Sequence, residues 1–456
     1  MSKSDFSIVR VMEKTLNYAD SRLINHGKRT AYLTHKILKK QNKHDENSRR
    51  KITLLALLHD VGAYKTEEID QMLGFETQKV WEHSMYGYLF IKYFSPLTEL
   101  APAILFHHTD HRKLTYLQSH HRETAQIIKI SDRFDISFLF STKRDSQEIR
   151  SYFERRKGDE FCPDLFDLFF MGEEGNPLAE IDSDEEFQEV LYGNYLSEED
   201  TAAFIKTLVL SIDFRSPVTA LHTFSSTYAC KAVLEILHVD AREQDLVLGG
   251  MLFHDIGKVA IPTNILNKSG RLTEAEMTIM KRHVEFAEEI LADEVDDRVL
   301  KLAVRHHEKL DGSGYPRGLR SENLTKGERL MAVTDIFSAL TGTRSYKDPF
   351  PMSKVVGILK EMVLAGQLDA DIVSVFIDNY DWILGEVGRE MIPFAEAYKQ
   401  LMQEYDELER AVHFFDKKTT NDGCRKKNNP VHSWNEWKPF FGALLEQPAA
   451  STAGCD

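Results

Sequence analysis

The feature that most constrains this chain is a set of histidines and aspartates that occurs twice in the same order. The first copy consists of His26, His59-Asp60, His83, His107-His108 and Asp132. The second copy consists of His222, His254-Asp255, His283, His306-His307 and Asp335. Ten of the 18 histidines fall in these two copies, so chance is a poor explanation for the repeat. The repeat predicts two related domains in tandem.

Apolar residues and histidines recur at helical intervals in both copies. Such runs are Leu100-Ala103-Ile104-His107-His108, Val299-Ala303-His306-His307 and Ala229-Ala232-Val233-Ile236-Leu237. This period predicts helices that each bury one face. Thr273 followed by Glu276 predicts a capping box that opens the helix carrying His283. We therefore predict an all-α fold made of two tandem helical bundles.

The domain boundaries follow from changes in composition along the chain. Residues 1–140 are predicted to form the first bundle and residues 201–415 the second. Residues 141–200, which include the acidic stretch 173–190, are predicted to be a connector plus the leading helices of the second bundle. Residues 416–456 are polar and lack an apolar period, which predicts a flexible tail.

The charge balance limits the classes of partner. Lys and Arg total 57 against 72 Asp and Glu, a net charge of −15, which disfavours binding to a nucleic-acid polymer. The four cysteines show no CxxC spacing, the N-terminus does not resemble a signal peptide, and no apolar run has transmembrane length. These features predict a cytoplasmic protein without membrane contact, and the sequence is compatible with a homodimer.

The residue types in the repeat indicate metal binding. A single histidine on an apolar helix face is usually a hydrogen-bonded core residue, but five histidines and two aspartates buried in one bundle would be costly without cations. Imidazole and carboxylate ligands without thiolate suit iron or manganese best, with magnesium, cobalt, nickel or zinc as alternatives. Two divalent cations at each site would suit hydrolysis of a phosphate ester.

The second copy resembles the HD-GYP domains over about residues 205–400. The resemblance is carried by His254-Asp255-Ile256-Gly257-Lys258 with Ile261-Pro262, by His306-His307-Glu308 with Asp311-Gly312-Ser313-Gly314-Tyr315-Pro316, and by Glu328-Arg329-Leu330 through Asp335 to Arg344-Ser345-Tyr346. HD-GYP domains are metal-dependent phosphodiesterases that open bacterial cyclic dinucleotides. Their substrates are cyclic di-GMP and, in some members, 3′,3′-cyclic GMP-AMP.

The resemblance implies roles for individual residues of the second copy. It implies metal ligands at His222, His254, Asp255, His283, His306, His307 and Asp335. Asp255 would bridge two metals, and Lys258 would contact the substrate phosphate. Substrate-binding residues would be Lys258, Asp311, Gly312, Gly314, Tyr315, Pro316 and Arg344. Val218 stands where three-metal members carry a glutamate, which predicts two metals instead of three.

The first copy resembles the broader HD superfamily of metal phosphohydrolases. Its implied metal ligands are His26, His59, Asp60, His83, His107, His108 and Asp132. It lacks the GYP loop, and Ala63 replaces the lysine that follows the second His-Asp pair, although Lys65 is close by. Three interpretations remain open: a phosphohydrolase that removes the terminal phosphate of the linear product, a metal-bound regulatory domain, or a structural platform. The complete ligand set favours the first.

The expected reaction is metal-assisted hydrolysis of a 3′–5′ phosphodiester, giving a linear dinucleotide with a 5′ phosphate. A tandem HD and HD-GYP chain without receiver, PAS or GGDEF segments resembles enzymes that degrade 3′,3′-cyclic GMP-AMP, which we favour over cyclic di-GMP. The alternatives are a cyclic di-GMP-specific phosphodiesterase, a catalytically quiet cyclic dinucleotide receptor, and a mononucleotide or (p)ppGpp hydrolase.

Overall fold

A computed structural model describes residues 6–19, 24–64, 81–114, 121–140, 146–172, 176–216, 221–342 and 350–421. Within these ranges the secondary structure is helical, and β structure is limited to isolated bridges at Lys157–Phe161 and Asp311–Arg320. The prediction of an all-α fold is confirmed. In the described part of the chain, no helix is long and apolar enough to cross a membrane.

The described α-helices before residue 193 include those that pack around the first histidine set. They are α1 (Ile8–Ala19), α2 (His26–Gln41), α3 (Glu46–Leu57), α4 (Trp81–Phe94), α5 (Ala101–Leu105), α6 (His111–Leu114), α7 (His121–Phe140), α8 (Ser146–Glu154), α9 (Pro163–Phe170) and α10 (Glu185–Tyr192). A short 3-10 turn, Val61–Tyr64, directly follows the first His-Asp pair.

The remaining described α-helices include those that carry the second histidine set. They are α11 (Glu198–Asp213), α12 (His222–Ile236), α13 (Ala241–Phe253), α14 (Thr263–Leu266), α15 (Glu274–Lys281), α16 (His283–Leu291), α17 (Asp297–Val304), α18 (Lys326–Thr341), α19 (Met352–Leu364), α20 (Ala370–Asp378) and α21 (Tyr380–Asn421). A 3-10 turn, Ile256–Ala260, again follows the His-Asp pair.

The chain divides into two compact units whose boundaries differ from those expected from composition. The first unit contains the first histidine set and comprises residues 25–193 and 398–456. The second unit contains the second set and comprises residues 1–24 and 194–397. Residues 141–193, expected to be a connector with leading helices of the second bundle, therefore belong with the first set. Helix α1 belongs with the second.

Aromatic packing explains why α8 and α9 join the first unit. Phe153 of α8 stacks on Phe161 with their ring centroids 4.4 Å apart, and Phe169 of α9 contacts Phe134 of α7 at 5.1 Å. These rings bury large apolar areas against the helix that carries Asp132. In the second unit, α1 buries Val11 as it packs against the 3-10 turn Ile256–Ala260 and α16.

The capping box at Thr273 and Glu276 is present, but the helix that it opens is shorter than predicted. Helix α15 ends at Lys281, and His283 instead begins α16. The amide of Arg282, between the two helices, donates to the Ile279 carbonyl in a tight turn that ends α15. The prediction that this capped helix itself carries His283 is therefore wrong.

One glycine in each copy allows the chain to pack closely behind the His-Asp pair. A Cβ added to Gly62 would lie 2.0 Å from the carbonyl oxygen of His83, and one added to Gly257 would lie 1.9 Å from that of His283. Backbone atoms cannot move aside as a flexible side chain can. Gly62 therefore lets its 3-10 turn lie directly against α4, which contains His83. Gly257 in the same way lets its turn lie against α16, which begins at His283.

Replacement of Gly257 by alanine should destabilise the second unit. We expect Gly257→Ala to lower the free energy of unfolding by about 1–3 kcal/mol, because the new methyl group forces backbone apart in a packed core. Urea denaturation followed by circular dichroism measures this change. Gly357→Ala is the matched control, since open space surrounds Gly357 in α19 and alanine favours helix. Equal stability of Gly257→Ala and the wild type would contradict the packing argument.

Candidate metal centres

The second histidine set converges on Asp255. One carboxylate oxygen of Asp255, Oδ2, lies 3.2 Å from Nε2 of His254, and the other, Oδ1, lies 3.7 Å from Nε2 of His283. Ligand-type atoms of His222, His254 and Asp255 form one group, and those of His283, His306 and His307 form a second. Within each group, these atoms lie within 4.8 Å of one another. The two oxygens of Asp255 thus face different groups, as expected of a bridging carboxylate.

Asp335 completes the second cluster from α18. Its Oδ1 lies 3.1 Å from Nε2 of His222 and 3.8 Å from Nε2 of His254. Its Oδ2 lies 3.7 Å from Nδ1 of His307. All seven residues predicted as ligands are therefore brought together within one unit.

The first histidine set forms an equivalent cluster around Asp60. Oδ2 of Asp60 lies 3.2 Å from Nε2 of His59, whereas Oδ1 lies 3.8 Å from Nε2 of His83 and 3.7 Å from Nε2 of His107. The two groups of ligand-type atoms are His26, His59 and Asp132, and Asp60, His83, His107 and His108. As in the second cluster, one aspartate faces both groups.

Backbone carbonyls fix the orientation of five imidazole rings. Nδ1 lies 2.5–2.8 Å from the carbonyl oxygen three residues earlier in the pairs His59–Ala56, His107–Ile104, His254–Met251, His283–Met280 and His306–Ala303. A carbonyl oxygen can only accept, so Nδ1 donates, and whenever the ring is neutral Nε2 carries the lone pair. That lone pair points into the cluster, as in a metal-ligating histidine.

Several polar atoms in the clusters are buried without a hydrogen-bond partner. They are Nε2 of His26, His59, His107 and His254, both carboxylate oxygens of Asp60, and Oδ2 of Asp132. Buried polar atoms in folded proteins are nearly always paired. Unpaired nitrogen and oxygen atoms that lie close to other ligand-type atoms in the same cluster fit divalent cations. We conclude that the residues present suit a metal.

The carboxylates favour positive charge in both clusters. Burial opposes protonation, but Asp255 and Asp335 together raise the pKa of His254 to about 9, and Asp132 and Asp135 raise that of His26 to about 10. Elsewhere in the second cluster burial dominates and lowers the pKa of His283 to about 3. A neutral imidazole of this kind is ready to act as a ligand.

Lys258 places a cation beside the bridging aspartate of the second cluster. Its Nζ lies 2.5 Å from Oδ2 of Asp255. Burial works against the charged lysine, yet the carboxylate charge raises the pKa of Lys258 above its ordinary value. The ammonium group therefore stays charged within the cluster. Ala63 occupies the corresponding position of the first copy.

A cavity of about 460 Å³ adjoins the second cluster. It is lined by residues that include His307, Asp335, Gly314, Tyr315, Lys281 and Phe350. The ring of Tyr315 lies 4.6 Å from that of His307, so two of the predicted substrate-binding residues, Gly314 and Tyr315, border both the cavity and the cluster.

The other predicted substrate-binding residues shape the loop or lie elsewhere. Oδ1 of Asp311 accepts hydrogen bonds from the amide and hydroxyl of Ser313, at 2.9 and 2.7 Å. Gly312 adopts a φ of 81°, which favours glycine, and Pro316 follows a cis peptide bond. Arg344 lies outside the described residues.

Three further residues support the clusters, although the motifs did not single out a role for them. Oδ2 of Asp135 lies 2.8 Å from Nδ1 of His26, and Oδ1 of Asp135 accepts from Nε of Arg29 at 2.5 Å. Glu308 is buried, and its carboxylate accepts from the amides of Arg317 and Leu319 at 2.7 and 2.8 Å, which holds the GYP loop. Asp135 follows Asp132 by three residues, so helical spacing was the available signal.

Models of the HD domain match the chain in two places. One matches residues 23–137 and the other residues 212–372. The two matches enclose all fourteen residues of the histidine–aspartate repeat, seven in each copy.

Curated relatives match either most of the chain or less than half of it. The 3′3′-cGAMP-specific phosphodiesterase 1 of Vibrio cholerae is 26% identical over 377 residues, which is 78% of this chain and 87% of that protein. The 3′3′-cGAMP-specific phosphodiesterase 2 of V. cholerae is 32% identical over 40% of this chain and 35% of its own length. A cyclic di-GMP phosphodiesterase response regulator of Xanthomonas campestris is 35% identical over 36% of this chain and 44% of its own.

A solved structure supports the fold. The crystal structure of a cyclic GMP-AMP specific phosphodiesterase of V. cholerae aligns with a TM-score of 0.52 at 17% identity, covering 82% of this chain and 97% of that one. The family matches agree with the paired clusters, and this likeness agrees with the fold. The chain is therefore a tandem HD-domain protein, with one HD domain in residues 23–137 and a second in residues 212–372.

Proposed function

We propose that this protein is a metal-dependent phosphodiesterase that hydrolyses a 3′,3′-cyclic dinucleotide at the second cluster. The observation that carries the proposal is the bridging position of Asp255 between two groups of imidazoles, beside a cavity and a charged lysine. The names of the relatives, all phosphodiesterases of cyclic dinucleotides, support the same chemistry. The product is the linear dinucleotide with a 5′ phosphate.

The proposed cofactor is a pair of divalent cations, iron or manganese, at each cluster. When bound, such a pair polarises a phosphoryl group and supplies a nucleophilic water at neutral pH. The chain's own contribution is orientation and charge. The carbonyl-bound imidazoles present Nε2 at fixed positions, and Lys258 neutralises negative charge that develops on the phosphate. Tyr315 and Gly314 border the space where the nucleotide would lie.

We propose 3′,3′-cyclic GMP-AMP as the preferred substrate and cyclic di-GMP as the alternative. The relative that spans most of the chain is named for the former, whereas the shorter matches are named for one or the other. Turnover of the two compounds, measured side by side by chromatography with Mn²⁺ present, tests this preference. Faster hydrolysis of cyclic di-GMP would contradict it.

We propose that the first cluster removes the 5′ phosphate of the linear product. Its ligand set is as complete as that of the second cluster, and its unpaired buried atoms call for cations in the same way. The absence of a GYP loop from its sequence is compatible with a smaller or differently shaped substrate.

Removal of the bridging carboxylate should abolish ring opening. We expect Asp255→Asn to lower the rate of cyclic dinucleotide hydrolysis at least about a thousandfold, because both metals lose a shared anionic ligand. Mass spectrometry of the purified protein should show metal lost from the second cluster and retained in the first. Asp378→Asn, the same change at an exposed carboxylate, should leave both measurements unchanged. Tight binding of the cyclic dinucleotide by the wild type without turnover would indicate a receptor instead.

The corresponding change in the first cluster should alter the product and leave ring opening intact. With Asp60→Asn we expect the linear 5′-phosphorylated dinucleotide to accumulate, whereas the wild type releases inorganic phosphate from it. Chromatography of the nucleotides, together with a phosphate assay over the same time course, distinguishes the two outcomes. Identical products from both proteins would show that the first cluster is not a 5′-nucleotidase.

A further inference from the structure

The two copies differ most sharply on the helix that carries the last aspartate of each set. When Asp132 of α7 is aligned with Asp335 of α18, the residue that follows is Arg133 in the first copy and Ile336 in the second. Three residues before the aspartate, the first copy has Lys129 where the second has Ala332. Ile336 and Ala332 line the cavity of the second unit. The first unit thus has two basic residues at positions that border the substrate space in the second.

Both cations of the first copy are buried and reach the cluster. The guanidinium Nη2 of Arg133 donates to Nδ1 of His108 at 2.8 Å, and its Nε lies 3.3 Å from Oδ2 of Asp132. Nζ of Lys129 donates to the carbonyl oxygen of His108 at 3.1 Å and pairs with Asp110 at 2.7 Å. Arg133 is 5% exposed and Lys129 is 2% exposed. Arg133 therefore contacts ligand atoms themselves, whereas Lys129 supports the backbone of His108.

The basic side chain also lies beside a different aspartate in each cluster. In the second cluster Lys258 lies beside the bridging Asp255. In the first cluster Ala63 occupies that position, and the carboxylate of Asp60 has no hydrogen-bond partner. The cation stands instead beside Asp132, the terminal aspartate. A phosphate held at the first cluster would meet a guanidinium on the side where the second cluster presents an isoleucine.

We infer that Arg133 is the residue that selects a phosphomonoester as the substrate of the first site. A phosphomonoester carries close to two negative charges at neutral pH, whereas a phosphodiester carries one. A guanidinium stays charged when buried, and with five N–H donors it can contact an anion while it also pairs with a carboxylate. The inference rests on the proposed hydrolysis at the first cluster and deepens it by naming the substrate class and the residue that recognises it.

Direct binding measurements can test this inference without relying on turnover. The background is the full chain carrying Asp255→Asn and loaded with Mn²⁺, so that the first cluster remains the intact metal site. Inorganic phosphate serves as the probe for a monoester dianion and dimethyl phosphate as the probe for a diester, each titrated by calorimetry. Metal content is measured on the same samples. The variants are Arg133→Ile, which installs the residue type of the second copy, and Arg133→Lys.

We expect Arg133→Ile to weaken phosphate binding about 10- to 100-fold, the effect of losing charge-assisted hydrogen bonds, while metal content and dimethyl phosphate binding stay unchanged. Arg133→Lys should recover part of the loss because it keeps the charge. Arg112→Ile, the same substitution at an exposed arginine of the first unit, should bind phosphate as the background does.

Three results would overturn the inference. The first is unchanged phosphate affinity in Arg133→Ile. The second is loss of metal in that variant, which would make Arg133 a positioning residue for His108. The third is a first cluster that holds no metal in the background protein. Failure of the proposed hydrolysis at the first cluster would be seen separately, as identical products from Asp60→Asn and the wild-type chain.

Discussion

Each half of this protein depends on two aspartates buried among five imidazoles. A carboxylate pair inside an apolar bundle is costly unless positive charge accompanies it. The carboxylates raise the pKa values of His26 and His254, which shows that they favour positive charge nearby. The carboxylate oxygens of Asp60 have no hydrogen-bond partner in the protein, so a cation would stabilise them. The helices of each unit can be understood as the frame that holds these groups at cation-binding distance.

Five of the cluster histidines lie just after the end of a helix. Helices α3, α5, α13, α15 and α17 end at Leu57, Leu105, Phe253, Lys281 and Val304, and each is followed within two residues by a histidine of the set. The last carbonyls of a helix have no intrahelical partner, so they are available to accept from a nearby Nδ1. One local rule of helix geometry thus fixes the tautomer and direction of five rings.

The sequence predicted which residues cluster better than it predicted the domain boundaries around them. Ordered repetition identified the fourteen cluster residues, and the helical period of the apolar residues beside them indicated the all-α class. Domain boundaries could not be read in the same way, since the aromatic contacts that tie α8 and α9 to α7 join residues far apart in sequence. Asp135 and Arg133 also contact histidines far away in sequence, His26 and His108, and only the three-dimensional structure reveals these partners.

The differences between the two clusters can be explained by the charge of the group that each would receive. A diester contributes one negative charge, which Lys258 beside the bridging carboxylate can balance. Hydrolysis of the diester creates a terminal monoester, which carries an additional negative charge. In the first cluster, Arg133 lies beside Asp132. The net charge of −15 describes neither site, because nearby basic side chains and the proposed metals would set the local potential. In the proposed functions, the two copies of one ligand set act on successive phosphate esters. Lys258 in the second cluster and Arg133 in the first would determine which ester each accepts.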